Sequence, residues 1–135
     1  MKKIFLLGIL SLFCLALAGC GNKDAEFKAF TSEFEKVTND MVAKVEADPS
    51  EAGVDAAQAI FDGKKADLKT KWTAIKDARG VQVSQDVAKS FEEGLKRSSD
   101  KVMGAMSKIT EPEAATKYGK LVKDWGDIVD AGSAK

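Results

Sequence analysis

The sequence has no histidine, and among its 135 residues there are only two cysteines, two prolines and one tyrosine. Without an imidazole, a haem bundle with a histidine axial ligand, a di-iron site built on Glu-x-x-His, a zinc hydrolase and a Ser-His-Asp triad are excluded together. The chain also lacks Gly-x-Gly-x-x-Gly and the phosphate-binding Gly-Lys-Ser/Thr loop, which removes the usual nucleotide sites. An excess of one charge is missing too: 21 basic side chains stand against 21 acidic ones. No basic stripe invites nucleic acid. The charges are interspersed rather than gathered in blocks, as on solvated helix faces. Strand-like alternation is confined to Val81 and Val83, too few to make a sheet.

What is present is helical periodicity. From Asp24 to Ala47, Phe27, Phe30, Phe34, Val37, Met41 and Val45 recur at spacings of three and four, which predicts one amphipathic helix. Asp48, Pro49 and Glu51 have the form of N-cap, N1 and N3, so a second helix is expected to begin there. It carries Ala57, Ile60, Phe61, Leu68, Trp72, Ile75 and Ala78 on one side and is expected to end near Arg79, with Gly80 as terminator. Gly53 and Gly63 weaken it by about 1 kcal/mol each relative to alanine. Ser84 is a natural cap for a third helix whose stripe is Val87, Phe91, Leu95, Val102, Met106 and Ile109, interrupted by Ser98 and Ser99. Thr110 and Glu113 form a second box-like cap, with Pro112 tolerated in the first turn. A fourth helix to about Asp130 follows, with Ala115, Tyr118, Val122, Trp125 and Val129 in one row and Leu121 and Ile128 beside it.

Four amphipathic helices with short connections must bury their stripes against one another. The expected fold is therefore all-α, an up-down-up-down four-helix bundle over residues 24–130. A three-helix bundle with an extra docked helix is the alternative. No internal repeat is evident along the chain, and residues 131–135 are small and polar and are expected to be a disordered tail.

The first 20 residues have a different character. Lys2 and Lys3 precede an apolar run from Ile4 to Leu17, and Leu17-Ala18-Gly19-Cys20 closes it with small residues. This is the pattern of a secretory signal. The run is about 14 residues long, whereas crossing a bilayer takes roughly 20. The segment resembles the bacterial lipoprotein signal, whose lipobox ends in an obligatory cysteine, and Leu17, Ala18, Gly19 and Cys20 fit it at every position. The resemblance implies cleavage between Gly19 and Cys20, acylation of Cys20, and a lipid anchor in the cell envelope. Gly21 rather than Asp follows the cysteine, which resembles an outer-membrane address, at the periplasmic face, rather than an inner-membrane one. On this reading residues 20–23 are a short lipidated tether, and Cys14 leaves with residues 1–19, so the mature chain makes no disulfide.

Few residues offer chemistry. Glu92 and Glu93 are adjacent on a helix and point apart, and neither they nor Glu111 and Glu113 imply the cleft that a glycosidase pair requires. Met41, Met103 and Met106 carry soft sulfur, but methionine at helical spacing fills cores. Lys65, Lys69, Lys76 and Arg79 form a basic ridge beside Trp72, suited to anionic lipid or to acidic side chains of a neighbouring helix. Gly94, Gly104, Gly119 and Gly126 fall inside the third and fourth helices, where they permit close packing or leave space. The candidate ligand or partner face is Trp72, Tyr118, Gly119, Val122 and Trp125. Three classes of function remain: a lipid-anchored, non-enzymatic adaptor that presents its bundle to another envelope protein, a carrier of a small apolar or lipid-like molecule in the core, and, least supported, an enzyme. The adaptor fits best, with no cofactor, no metal and no nucleic acid as a partner.

Overall fold

The computed structural model describes residues 22–78 and 82–130 and consists of four α-helices: α1 (Asp24–Ala47), α2 (Glu51–Ile75), α3 (Gln85–Met106) and α4 (Pro112–Asp130). No strand occurs among the described residues. The chain runs up, down, up and down, and the three-helix alternative falls away.

Each boundary has a local cause. Asp48 does not cap α2; its carboxylate instead accepts the backbone N–H of Ser50 at 3.2 Å, across Pro49, and the Ser50 hydroxyl, with that N–H second, holds its pKa below the ordinary carboxylate value. Ser50 is the cap, extended in backbone, its hydroxyl accepting from the N–H of Ala52 at 3.3 Å. At the other end α2 stops at Ile75, earlier than the expected Arg79, in a turn where the Ala78 N–H donates to the Ile75 carbonyl at 2.9 Å. Ser84 caps α3 as expected, accepting from the Val87 N–H at 3.4 Å. That helix closes at Met106 rather than Ile109, because Lys108 and Ile109 donate three residues back, to Ala105 and Met106.

Side-chain pairs fix the arrangement. Arg97 bonds Glu35, Lys101 bonds Asn39 and Lys108 bonds Glu46, each pair separated by 62 residues. A constant separation means that α3 runs parallel to α1, directly beside it. The same interval joins Lys117 to Asp55 across α2 and α4. The second helical hairpin therefore retraces the first, a repeat that residue identities conceal. α1 lies beside α2 and α3, and α4 lies beside α2 and, over a shorter stretch, α3. Helices α2 and α3, consecutive in the chain, sit on the diagonal and meet where Trp72 stacks on Phe91, with centroids 5.9 Å apart.

The core is aromatic and continuous. Phe30, Phe34, Met41, Phe61, Leu68, Ile75, Tyr118, Leu121 and Ile128 are all buried. Phe30 touches Phe34, Trp72 and Phe91, and Phe34 stacks on Trp125 at 5.0 Å. Two glycines exist for close approach. A Cβ on Gly53 would collide with the Asp48 carbonyl, and one on Gly94 would come within 2.7 Å of the Thr31 methyl. Gly53 thus does more than weaken α2: it lets the helix start beneath the preceding turn.

Candidate functional site

The residues that the sequence singles out divide between core and surface. Tyr118 is fully buried, its hydroxyl donating to the Val102 carbonyl of α3 at 3.1 Å. Burial, with Glu46 adding to it, pushes its pKa up to about 12, so the phenol stays neutral. Trp125 crosses the bundle to α1, where its indole N–H donates to the Thr38 hydroxyl at 2.9 Å. That hydroxyl in turn donates to the Phe34 carbonyl at 2.7 Å, so each buried polar atom in the chain of contacts has a partner. Both rings are buried in the core between α4 and the facing helices. Trp72 lies at the other end of the same aromatic core, against Phe30 and Phe91 nearer the start of α1, and its indole nitrogen is buried without a hydrogen bond among the described residues.

Gly119 and Val122 lie on a different surface. The buried residues of α4 are Ala114, Tyr118, Leu121, Trp125 and Ile128. The neighbouring row, Ala115, Gly119, Val122, Gly126 and Val129, is only half-buried. It flanks α4 on the side away from the α2 contacts made by Lys117 and Asp124, and therefore faces the α3–α4 groove. A Cβ on Gly119 or Gly126 would meet nothing within 4 Å. Close packing inside the bundle does not explain these glycines. The helices stand apart here because Tyr118 and Trp125 reach inward from α4 and prop it against α1 and α3. Across the groove, α3 contributes half-buried Leu95 and Met106, and next to them lies Met103, which at 58% exposure is the one large apolar side chain left open among the described residues.

The other candidates resolve into structure. Met41 is in the core and Met103 on the surface, so the methionines do not converge, and no group of three metal-binding side chains occurs among the described residues. Of the basic ridge, Lys65 pairs with Asp124 at 3.3 Å and lies 5.6 Å from the centre of the Phe61 ring. Arg79 falls outside the described residues. Glu51 and Glu113 converge near Lys117, whose ammonium lies 2.5 Å from Glu51 and 3.2 Å from Asp55; the contact with Lys117, ahead of that with Glu113, keeps the Glu51 carboxyl below its ordinary pKa. A shallow groove of about 440 Å³ follows α1 and α3 past Lys28, Thr31, Phe91 and Arg97. Its main charges are already spent, Arg97 on Glu35 at 2.9 Å and Lys36 on Asp40 at 2.6 Å.

Gly19 and Cys20 lie outside the described residues, as does the tail from 131 to 135. No described helix is long and apolar enough to cross a membrane. No family model, curated protein or solved structure matches the chain.

The α3–α4 groove carried a signal in the sequence. Helix α4 has two adjacent apolar rows, whereas one buried face needs only one. The periodicity groups Ala115, Val122 and Val129 with Tyr118 and Trp125 and sets Leu121 and Ile128 beside them, whereas the structure buries Tyr118, Leu121, Trp125 and Ile128 and leaves Ala115, Val122 and Val129 half-buried at the edge of the core.

Proposed function

We propose that this chain is a lipid-anchored, non-enzymatic envelope protein of adaptor type, held by acyl chains on Cys20 and docking another envelope protein against α4. The observation that carries the docking face is the row Ala115, Gly119, Val122, Gly126 and Val129, half-buried and backed by open space at both glycines. Each glycine costs a helix about 1 kcal/mol relative to alanine, and nothing inside the bundle requires that cost. A helix from outside does benefit, because two helices approach more closely where one has no side chain. The anchor rests on the lipobox residues Leu17 to Cys20 and on the short apolar run before them. More than one acyl chain makes such an anchoring lasting rather than reversible.

The carrier reading needs a ligand beside Tyr118 and Trp125, and the adaptor reading is favoured because both side chains are held by partners within the bundle, the Val102 carbonyl and the Thr38 hydroxyl. For the adaptor, the test is a photo-crosslinking residue at Val122 of the full-length protein in intact cells, with the same residue at Lys120 as control. The expected result is one stoichiometric protein adduct from Val122 and none from Lys120. Equal, scattered labelling from both positions would remove α4 as the docking face.

A further inference from the structure

Cys20 stands three residues ahead of Lys23 in the sequence, and Lys23 is already fixed to the fold. Its backbone N–H donates to the Gln82 carbonyl at 2.6 Å. Asp24 follows with its carboxylate accepting the Ser84 N–H at 2.8 Å, while its own N–H is held by the Asn22 side chain at 2.7 Å. The first turn of α1 is thus tied to the head of α3. Even fully extended, three residues reach only about 10 Å. From that point α1 leads away for 24 residues, a rise of about 36 Å. The up-down-up-down course puts the end of α2, the start of α3 and the end of α4 at the same end as Lys23. The turns at Asp48–Ser50 and Ser107–Glu111 lie at the opposite end.

We infer, on the reading that Cys20 is acylated, that the bundle stands end-on upon the bilayer, with Gln82, Val83 and the first turns of α1 and α3 against the lipid headgroups. The turns at Asp48–Ser50 and Ser107–Glu111 then point away from the membrane, and the α3–α4 groove runs along the membrane normal. The tether, not electrostatic attraction, fixes which end of the bundle meets the bilayer. Exposed charges toward that end have both signs, Lys28, Lys69 and Lys89 against Asp77, Asp86 and Asp130, so added salt leaves the pose unchanged.

The experiment uses the lipidated protein in phosphatidylcholine vesicles containing a lipid with a nitroxide on its headgroup. A fluorophore is placed at one of two exposed positions, Gln85→Cys at the lower end or Glu111→Cys at the upper. Intact mass is measured first on each sample. The expected result is quenching several-fold stronger at position 85 than at 111, unchanged by salt and lost when about twelve glycine and serine residues are inserted after Gly21. Equal quenching of the two labels on protein whose mass includes the acyl chains would overturn the pose and leave the anchor standing. A mass without acyl chains on Cys20 would overturn the anchor and the pose with it.

Discussion

The two hairpins of this bundle follow the same course yet close differently. In the first, α1 and α2 pack along their length, and Gly53 is required because a Cβ there would strike the Asp48 carbonyl. In the second, α3 and α4 stay apart, Tyr118 spans the gap to reach the Val102 carbonyl, and Gly119 and Gly126 face open space. Glycine has two settings that cut across the hairpins: Gly53 in α2 and Gly94 in α3 serve contact within the chain, whereas Gly63 in α2 and Gly119 and Gly126 in α4 have no atom within 4 Å of a would-be Cβ. The more open α3–α4 side is the one along which the half-buried row of α4 lies.

Several substitutions break or sharpen that contrast, each read by urea unfolding. Trp125→Ala has the largest expected effect, a loss of about 3–5 kcal/mol, because the ring fills the space between α4 and α1. A loss below about 1 kcal/mol would mean that α4 is not propped by its aromatic residues. Gly53→Ala follows, with a loss of about 1–3 kcal/mol from forcing a methyl against backbone that cannot move aside. Were it as well tolerated as Gly63→Ala, which has no atom within 4 Å of its Cβ, the close fit of the first hairpin would be wrong. Ser98→Ala should act in the other direction. Its hydroxyl is buried at 2% exposure with no hydrogen bond among the described residues, and removing it should stabilise the fold by about 1 kcal/mol. Destabilisation would reveal a partner for that oxygen.

The smallest effect concerns the tie between the hairpins. The Ser84 N–H holds the carboxyl of Asp24 below its ordinary pKa. A lowered folded-state pKa gives stability that is present above the unfolded value and is lost as pH falls through the folded one. Asp24→Asn should therefore narrow the stability gap between neutral pH and the acid end of the carboxylate range. Unfolding midpoints that keep the same pH slope in both proteins would show that the contact does not form.

Much of this was legible in the sequence. The phenylalanine spacing of α1 gives both bounds of that helix and most of its buried face, although Val42, beside that row, is buried as well. Ser84 and its helix start are equally plain. Other features depend on choices between local partners: Asp48 and Ser50 are both good caps, and only the bond from the Ser50 N–H to the Asp48 carboxylate decides between them. The repeat of hairpin over hairpin was hidden because it is carried by helix direction and by pairs such as Glu35 with Arg97, not by matching residues. The proposed docking face was half-visible. Gly119 and Val122 stood out in the sequence, but their grouping with Tyr118 and Trp125 dissolves, since those rings turn inward and the glycines do not. Which of two adjacent apolar rows faces the core is set by the neighbouring helices, so periodicity within α4 alone has no means of choosing.

The most direct measurement is the unfolding free energy of the double variant Gly119→Ala, Gly126→Ala. With open space at both positions, each added methyl should gain up to about 1 kcal/mol of helix stability, raising the midpoint of the monomer. A lower midpoint would contradict the account, because it would mean that the α4 glycines are needed inside the bundle and that no outward face has been kept for a partner.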